Sequence, residues 1–186
     1  KQGFNTRLDV YFTGSSHAPF QIADESTYRQ RFMDLIPVNS PYKLHFEKYE
    51  KQYLSLMFLD DALRNFIYAY QQLPEFNNTI FILTGDHPMT EIPIENSLWR
   101  YHVPLLMYSP LLKHPQTFHE VASHLDLYET LLSYLNREYG INIPNYSAAL
   151  GHKLLFEASY NDDKTIAFMN DNREIIDLFD NGKFLS

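Results

Sequence analysis

Cysteine is absent from this 186-residue chain, which excludes disulfides and cysteine-ligated zinc. Positive charge is scarce: 15 Lys and Arg face 23 Asp and Glu, a formal charge of −8. The basic residues form no cluster longer than a pair, so nucleic acid is not an expected partner. No apolar run approaches the ~20 residues of a membrane helix. A signal peptide and an initiator methionine are also missing from "KQGFNTRLDVYF", which opens almost directly in strand-like sequence. The expectation is a piece cut from a longer protein. What is present is a core-forming composition, 45% hydrophobic and 16% aromatic, which is that of a folded domain and not of a disordered segment.

Patterning predicts the elements. Residues 8–13 read as a first strand, and "QIADESTYRQRFMDLI" as a short helix with Tyr28, Phe32 and Leu35 on one face. "PVNSP" (37–41) breaks it. A long helix is expected over about 43–73, where Leu56, Leu59, Leu63, Phe66, Ile67 and Tyr70 recur at helical steps and Pro74 follows. "TIFILTGDH" (79–87) and "VPLLMYS" (103–109) read as strands. Their apolar runs do not alternate, which suits strands covered on both faces of a parallel sheet. A helix within 119–140 stops at Gly140. The tail, 165–185, carries turn signals at Asn170-Asp171 and Asn181-Gly182 and predicts an antiparallel β-meander. The fold class is α/β, a mostly parallel sheet sandwiched by helices with this small appendage. Residues 1–160 are assigned to the main body and 161–186 to the antiparallel part of the same domain.

Ligands of open α/β sheets bind beyond the carboxyl ends of the strands. Two expected strands end in similar punctuation, "GSSHAP" (14–19) and "TGDHP" (84–88). Asp86-His87 offers a carboxylate and an imidazole to one divalent cation. A plain turn, with Asp86 accepting backbone N–H groups and His87 in solvent, is the alternative. His17 is either a site residue or a solvated loop histidine.

The segments "SSHAPF", "YLSLMFLDDAL", "NNTIFILTGDH", "HVPLLMYSPLL" and "SHLDLYETLLSYL" occur in this order. Together they resemble the sulfatase-like branch of the alkaline phosphatase superfamily, from about Arg7 to Leu155. The kin they most resemble are lipoteichoic acid synthase and the phosphoglycerol transferases. The phosphoethanolamine transferases of lipid A are a more distant match. The resemblance implies an alkaline phosphatase-like fold, present in part. It implies that Asp86 and His87 are two of four ligands of one divalent metal. Manganese is favoured, with zinc, magnesium or calcium as alternatives. His17, in the "SHxPF" element, would contact the substrate's phosphate or the leaving group, beside Ser16. His102 would face the substrate from the start of the strand that follows. The remaining acidic ligand and the threonine nucleophile would lie upstream of Lys1, so this stretch alone is expected to be inactive.

The implied parent is a metal-dependent transferase or hydrolase of phosphate or sulfate esters. Phosphoglycerol head-group transfer at the cell envelope is the favoured reaction. The substrate would be a lipid head group or glycan. The parent would act outside the cytoplasm, anchored by upstream membrane segments. A sulfatase is one alternative; a non-catalytic glycan- or protein-binding relic is the other. Two departures stand out. Pro88-Met89 follows Asp-His where the family has glycine or an aromatic, and proline restricts His87. "DLYETLL" has Glu129 where the family has proline, and glutamate also suits a first helical turn. Trp99 and Tyr101, in the loop after the metal pair, are candidates for lining a sugar or glycerol pocket.

Overall fold

The computed structural model describes residues 7–37, 39–143, 150–155, 159–170 and 172–186. It mixes helices with small antiparallel sheets and divides into two compact units, Lys1–Lys113 and His114–Ser186.

In the first unit, helices α1 (Glu25–Leu35) and α2 (Lys43–Lys48) pack on the 21-residue helix α3 (Glu50–Tyr70). Aromatic rings fill the seam. Phe32 is buried, stacked on Tyr53 at 5.5 Å and edge-on to Phe46 at 6.0 Å. Such pairs add about 0.5–1.5 kcal/mol beyond the area they bury. Asp61 of α3 ties down α1: it accepts the Tyr28 hydroxyl at 3.1 Å and pairs with Arg31, while Arg64 holds its other oxygen. The single helix expected over 43–73 is two. Tyr49 leaves helical geometry (φ −112°, ψ 26°) and buries its ring beside His45, so packing overrides the continuous helical pattern. α3 then ends at Tyr70, and Pro74 opens a short 3₁₀ turn, Pro74–Asn78, where a missing N–H costs nothing.

Strand β1 (Phe81–Thr84) pairs with β2 (Leu105–Tyr108) in antiparallel register, Phe81 opposite Tyr108 and Thr84 opposite Leu105. Phe81 seats the pair on α3 through Tyr70 at 5.1 Å and Phe66 at 6.3 Å. Two expectations are corrected here. First, the two apolar runs pair antiparallel where a parallel sheet was expected. The lack of alternation still has meaning: the inner residues Leu105 and Met107 are half-buried, whereas Leu106 and Tyr108 are exposed. Second, residues 8–13 form no strand. A strand needs a neighbour's backbone groups, and none among the described residues supplies them. Leu8, Val10 and Phe12 are exposed by 84%, 70% and 91%, while the Tyr11 ring leans on Phe66 at 5.5 Å.

The second unit is organised by helix α4 (His124–Tyr139). Ser123 and Asp126 form a reciprocal capping box, and Gly140 ends the helix at φ 62°, as its position in the sequence predicts. Asp126 is fully buried and does more than cap. Its carboxylate accepts Ser123 N–H at 2.7 Å and His152 N–H at 2.8 Å, and pairs with Lys164. Thr130 accepts Leu154 N–H at 2.9 Å. Gly151 passes so close that a Cβ there would sit 2.1 Å from the Leu125 carbonyl oxygen, a contact only glycine permits. The expected meander is present: β3 (Thr165–Met169), β4 (Ile175–Asp180) and β5 (Lys183–Leu185) pair antiparallel in that order. Asn181 and Gly182 turn β4 into β5 with φ 47° and 78°, the geometry of a type I′ hairpin. Asp171, of the other expected turn, lies outside the described residues.

Candidate metal and substrate site

All five sequence-nominated residues lie in the first unit. Asp86 and His87 sit directly beyond β1. Gly85 precedes them because Val103 crowds it: a Cβ there would meet the Val103 Cβ at 3.4 Å. Asp86 is bent back on the turn, its Oδ1 accepting His87 N–H at 2.9 Å. The Pro88 carbonyl lies 2.8 Å from His87 Nδ1. A carbonyl only accepts, so Nδ1 carries the proton and Nε2 keeps its lone pair in the neutral ring. This is the arrangement in which histidine ligates a metal, with the other ring nitrogen held by a backbone oxygen. Pro88 therefore supports the ring through its carbonyl, which tempers the concern that it misdirects His87.

Asp86 Oδ2 and His87 Nε2 are 3.8 Å apart, on side chains 80% and 56% exposed. Metal–ligand distances of about 2.1 Å at a tetrahedral angle place two donors about 3.4 Å apart. A small side-chain rotation would bring the pair onto one ion. The donor set, one hard carboxylate and one imidazole, fits a divalent cation. Among the described residues no group of three or more His, Asp or Glu could hold a metal. The chain thus brings two ligands of such a site together and no more.

His17 lies in a double turn. Its N–H donates to Gly14 O at 3.2 Å, and its carbonyl accepts Phe20 N–H at 2.8 Å. Its Nδ1 lies 2.9 Å from the Ala18 carbonyl, so Nε2 is again the open nitrogen. Phe20 anchors the turn: its ring is buried although its backbone stands at φ 59°, a left-handed conformation that bulky side chains avoid. Sequence reading quoted Phe20 but gave it no role; its signal is a lone aromatic closing a polar loop. Ser16 is half-buried beside His17. No hydrogen bond or ion pair among the described residues joins the His17 turn to Asp86 or His87. His102 is exposed and closes a 3₁₀ turn, Ser97–Tyr101, its N–H on Trp99 O at 3.2 Å. Continuing the β1–β2 register past Thr84–Leu105 sets Asp86 across from Val103 and His87 across from His102. The register thus places His102 at the metal-pair end of the hairpin.

A strand end that offers a carboxylate and an imidazole is one of the features this chain shares with a known class of proteins. The chain belongs to the sulfatase family, whose model matches residues 7–137, well over half of its length. It is similar to arylsulfatase K of Canis lupus familiaris, 34% identical over 96 residues, or 47% of this chain and 18% of that protein. The chain therefore matches less than a fifth of that relative. No solved structure matches it. A divalent metal is typical of sulfatases, in keeping with the donor pair at β1.

Proposed function

We propose that this chain supplies part of a sulfatase-type site that cleaves sulfate esters. The observation that carries the reading is the Asp86–His87 pair, its donor atoms 3.8 Å apart at the end of β1, in a chain that matches the family from residue 7 to 137. Asp86 Oδ2 and His87 Nε2 would hold the cation, which when bound polarises sulfate oxygens and eases deprotonation of a nucleophilic hydroxyl. His17, its ring fixed by the Ala18 carbonyl, would present Nε2–H as imidazolium. That N–H would stabilise a sulfate oxygen or pass its proton to the departing alkoxide. Ser16 and His102 would contact the substrate. The nucleophile and the other ligands would come from polypeptide outside these residues.

The exposed surface supports that last point. The chain exposes 14,550 Å² at 22.0 kDa. A closed monomer of this mass exposes about 9,300 Å², and two separate closed bodies of the units' sizes about 11,000 Å². The excess of roughly 3,000–5,000 Å² is well above the ~800 Å² that one partner gives to a standard interface. We infer that a larger, mostly parallel sheet and its helices cover Leu8, Val10, Phe12, Leu106 and Tyr108. The extracytoplasmic, membrane-anchored setting belongs to the same proposal. No helix among the described residues is long and apolar enough to cross a membrane, so an anchor would sit elsewhere in the parent.

The lipoteichoic acid synthase branch, phosphoglycerol transfer and manganese draw no support from the comparisons, and the sulfate ester is preferred. The deciding experiment is turnover by the full-length gene product with aryl sulfates, sugar sulfates and phosphodiesters, for wild type, Asp86→Asn and His87→Gln. Sulfate release lost in both variants is expected. Turnover of phosphodiesters alone redirects the reading to head-group transfer. Undiminished activity in both variants ends the metal assignment.

A further inference from the structure

Trp99 is the chain's single tryptophan and is 60% exposed. Its place is well defined. The Asn96 side chain accepts Leu98 N–H at 2.9 Å, Trp99 N–H donates to Asn96 O at 3.0 Å, and His102 N–H returns to Trp99 O. Three successive hydrogen bonds thus fix the backbone that carries the indole. The His102 imidazole meets the indole at 5.7 Å and 65°, edge against face. His102 lies across from His87 in the continued hairpin register, and Val103 touches Gly85. An exposed indole is thereby held one contact away from the residue that faces the metal pair.

We propose that Trp99 is the stacking platform for the alcohol half of the substrate, which must then carry its sulfate on a flat-faced ring. The inference rests on the sulfate-ester reading and deepens it. The chemistry follows from shape. An indole presents a broad apolar, electron-rich face. The C–H face of a pyranose or the edge or face of an aryl group fits it. A three-carbon glycerol chain offers too little surface to do so. A pyranose and an aryl group share this chemistry, and the test separates them.

Because the chain has one tryptophan, its emission reports on this position alone. An aryl sulfate, a methyl pyranoside 6-sulfate and ethyl sulfate are each titrated into the chain, with and without a divalent cation. Saturable change with either ring ester and none with ethyl sulfate is expected. Response to one ring type only supports the platform and names the class. Ligand-observed NMR on Trp99→Ala should show about tenfold weaker binding, with Trp99→Phe near wild type. Both positions are exposed, so circular dichroism should be unchanged. No saturable change with either ring ester, or an equal response to ethyl sulfate, overturns the proposal. Calorimetry of cation binding to wild type and Asp86→Asn keeps the two readings apart. Cation bound with Trp99 silent sinks the platform alone. Trp99 responsive with no cation bound sinks the metal reading alone.

Discussion

Two aspartates, one in each unit, show how differently one side chain can be used. Asp126 opens a helix with 0% exposure, and two backbone N–H groups and the Lys164 ammonium saturate its oxygens. Asp86 closes a strand turn with its side chain 80% exposed and one oxygen on the neighbouring N–H. A carboxylate whose lone pairs are all taken by the protein is spent on structure. One left half-open at a strand end is available to a ligand. Removing each should therefore give opposite results, and that contrast is where the comparison is easiest to break.

The largest expected effect is at Asp126. Asp126→Ala strands a Lys164 side chain only 11% exposed and leaves two buried N–H groups unpaired. It should cost about 3–5 kcal/mol in urea unfolding. A loss under about 1 kcal/mol would remove Asp126 from the centre of its unit. Gly151→Ala comes next. The new Cβ would overlap the Leu125 carbonyl, so backbone must move, for about 1–3 kcal/mol. A midpoint equal to wild type would show that the close approach is not maintained in solution. Asp86→Asn should leave stability within about 0.5 kcal/mol while weakening calorimetric cation binding at least tenfold. If cation binding is unchanged, the contrast between the two aspartates collapses.

The smallest effect sharpens the comparison from a third aspartate. The hydrogen bond from Arg31 holds the Asp61 carboxyl below its ordinary range, with Tyr28 adding to it. A carboxyl depressed in the folded state adds stability above its unfolded value and loses it as pH falls through the folded value. The gap in urea midpoint between wild type and Asp61→Asn should thus be widest near neutral pH and close on acidification. A gap of constant width would assign the effect to packing of Tyr28 and Arg31.

Local chemistry made part of this legible in sequence. Ser123, Asp126 and Gly140 mark the two ends of α4 within a turn of themselves, and Asn181-Gly182 announces its hairpin by needing positive φ. The Asp86-His87 pair was legible because both ligands are adjacent in sequence and follow a strand. The other partners of Asp126 were not legible, since His152 and Lys164 lie 26 and 38 residues on. Nor was the break at Tyr49, because a helical stripe runs through it and only ring burial against His45 ends the helix. Residues 8–13 look like a strand by composition, but a strand is a relation between two backbones.

By itself the sequence determined what propensity and neighbouring residues can set: the helices, the two apolar hairpin strands, the meander, the absence of disulfides and a nearby pair of metal donors. The tertiary structure alone decided the antiparallel pairing of β1 with β2, the register that carries His102 and Trp99 toward His87, and the burial of Asp126. The physical reason is range. Capping, turns and periodicity act over a few residues, whereas register and burial depend on which distant surfaces meet and exclude water.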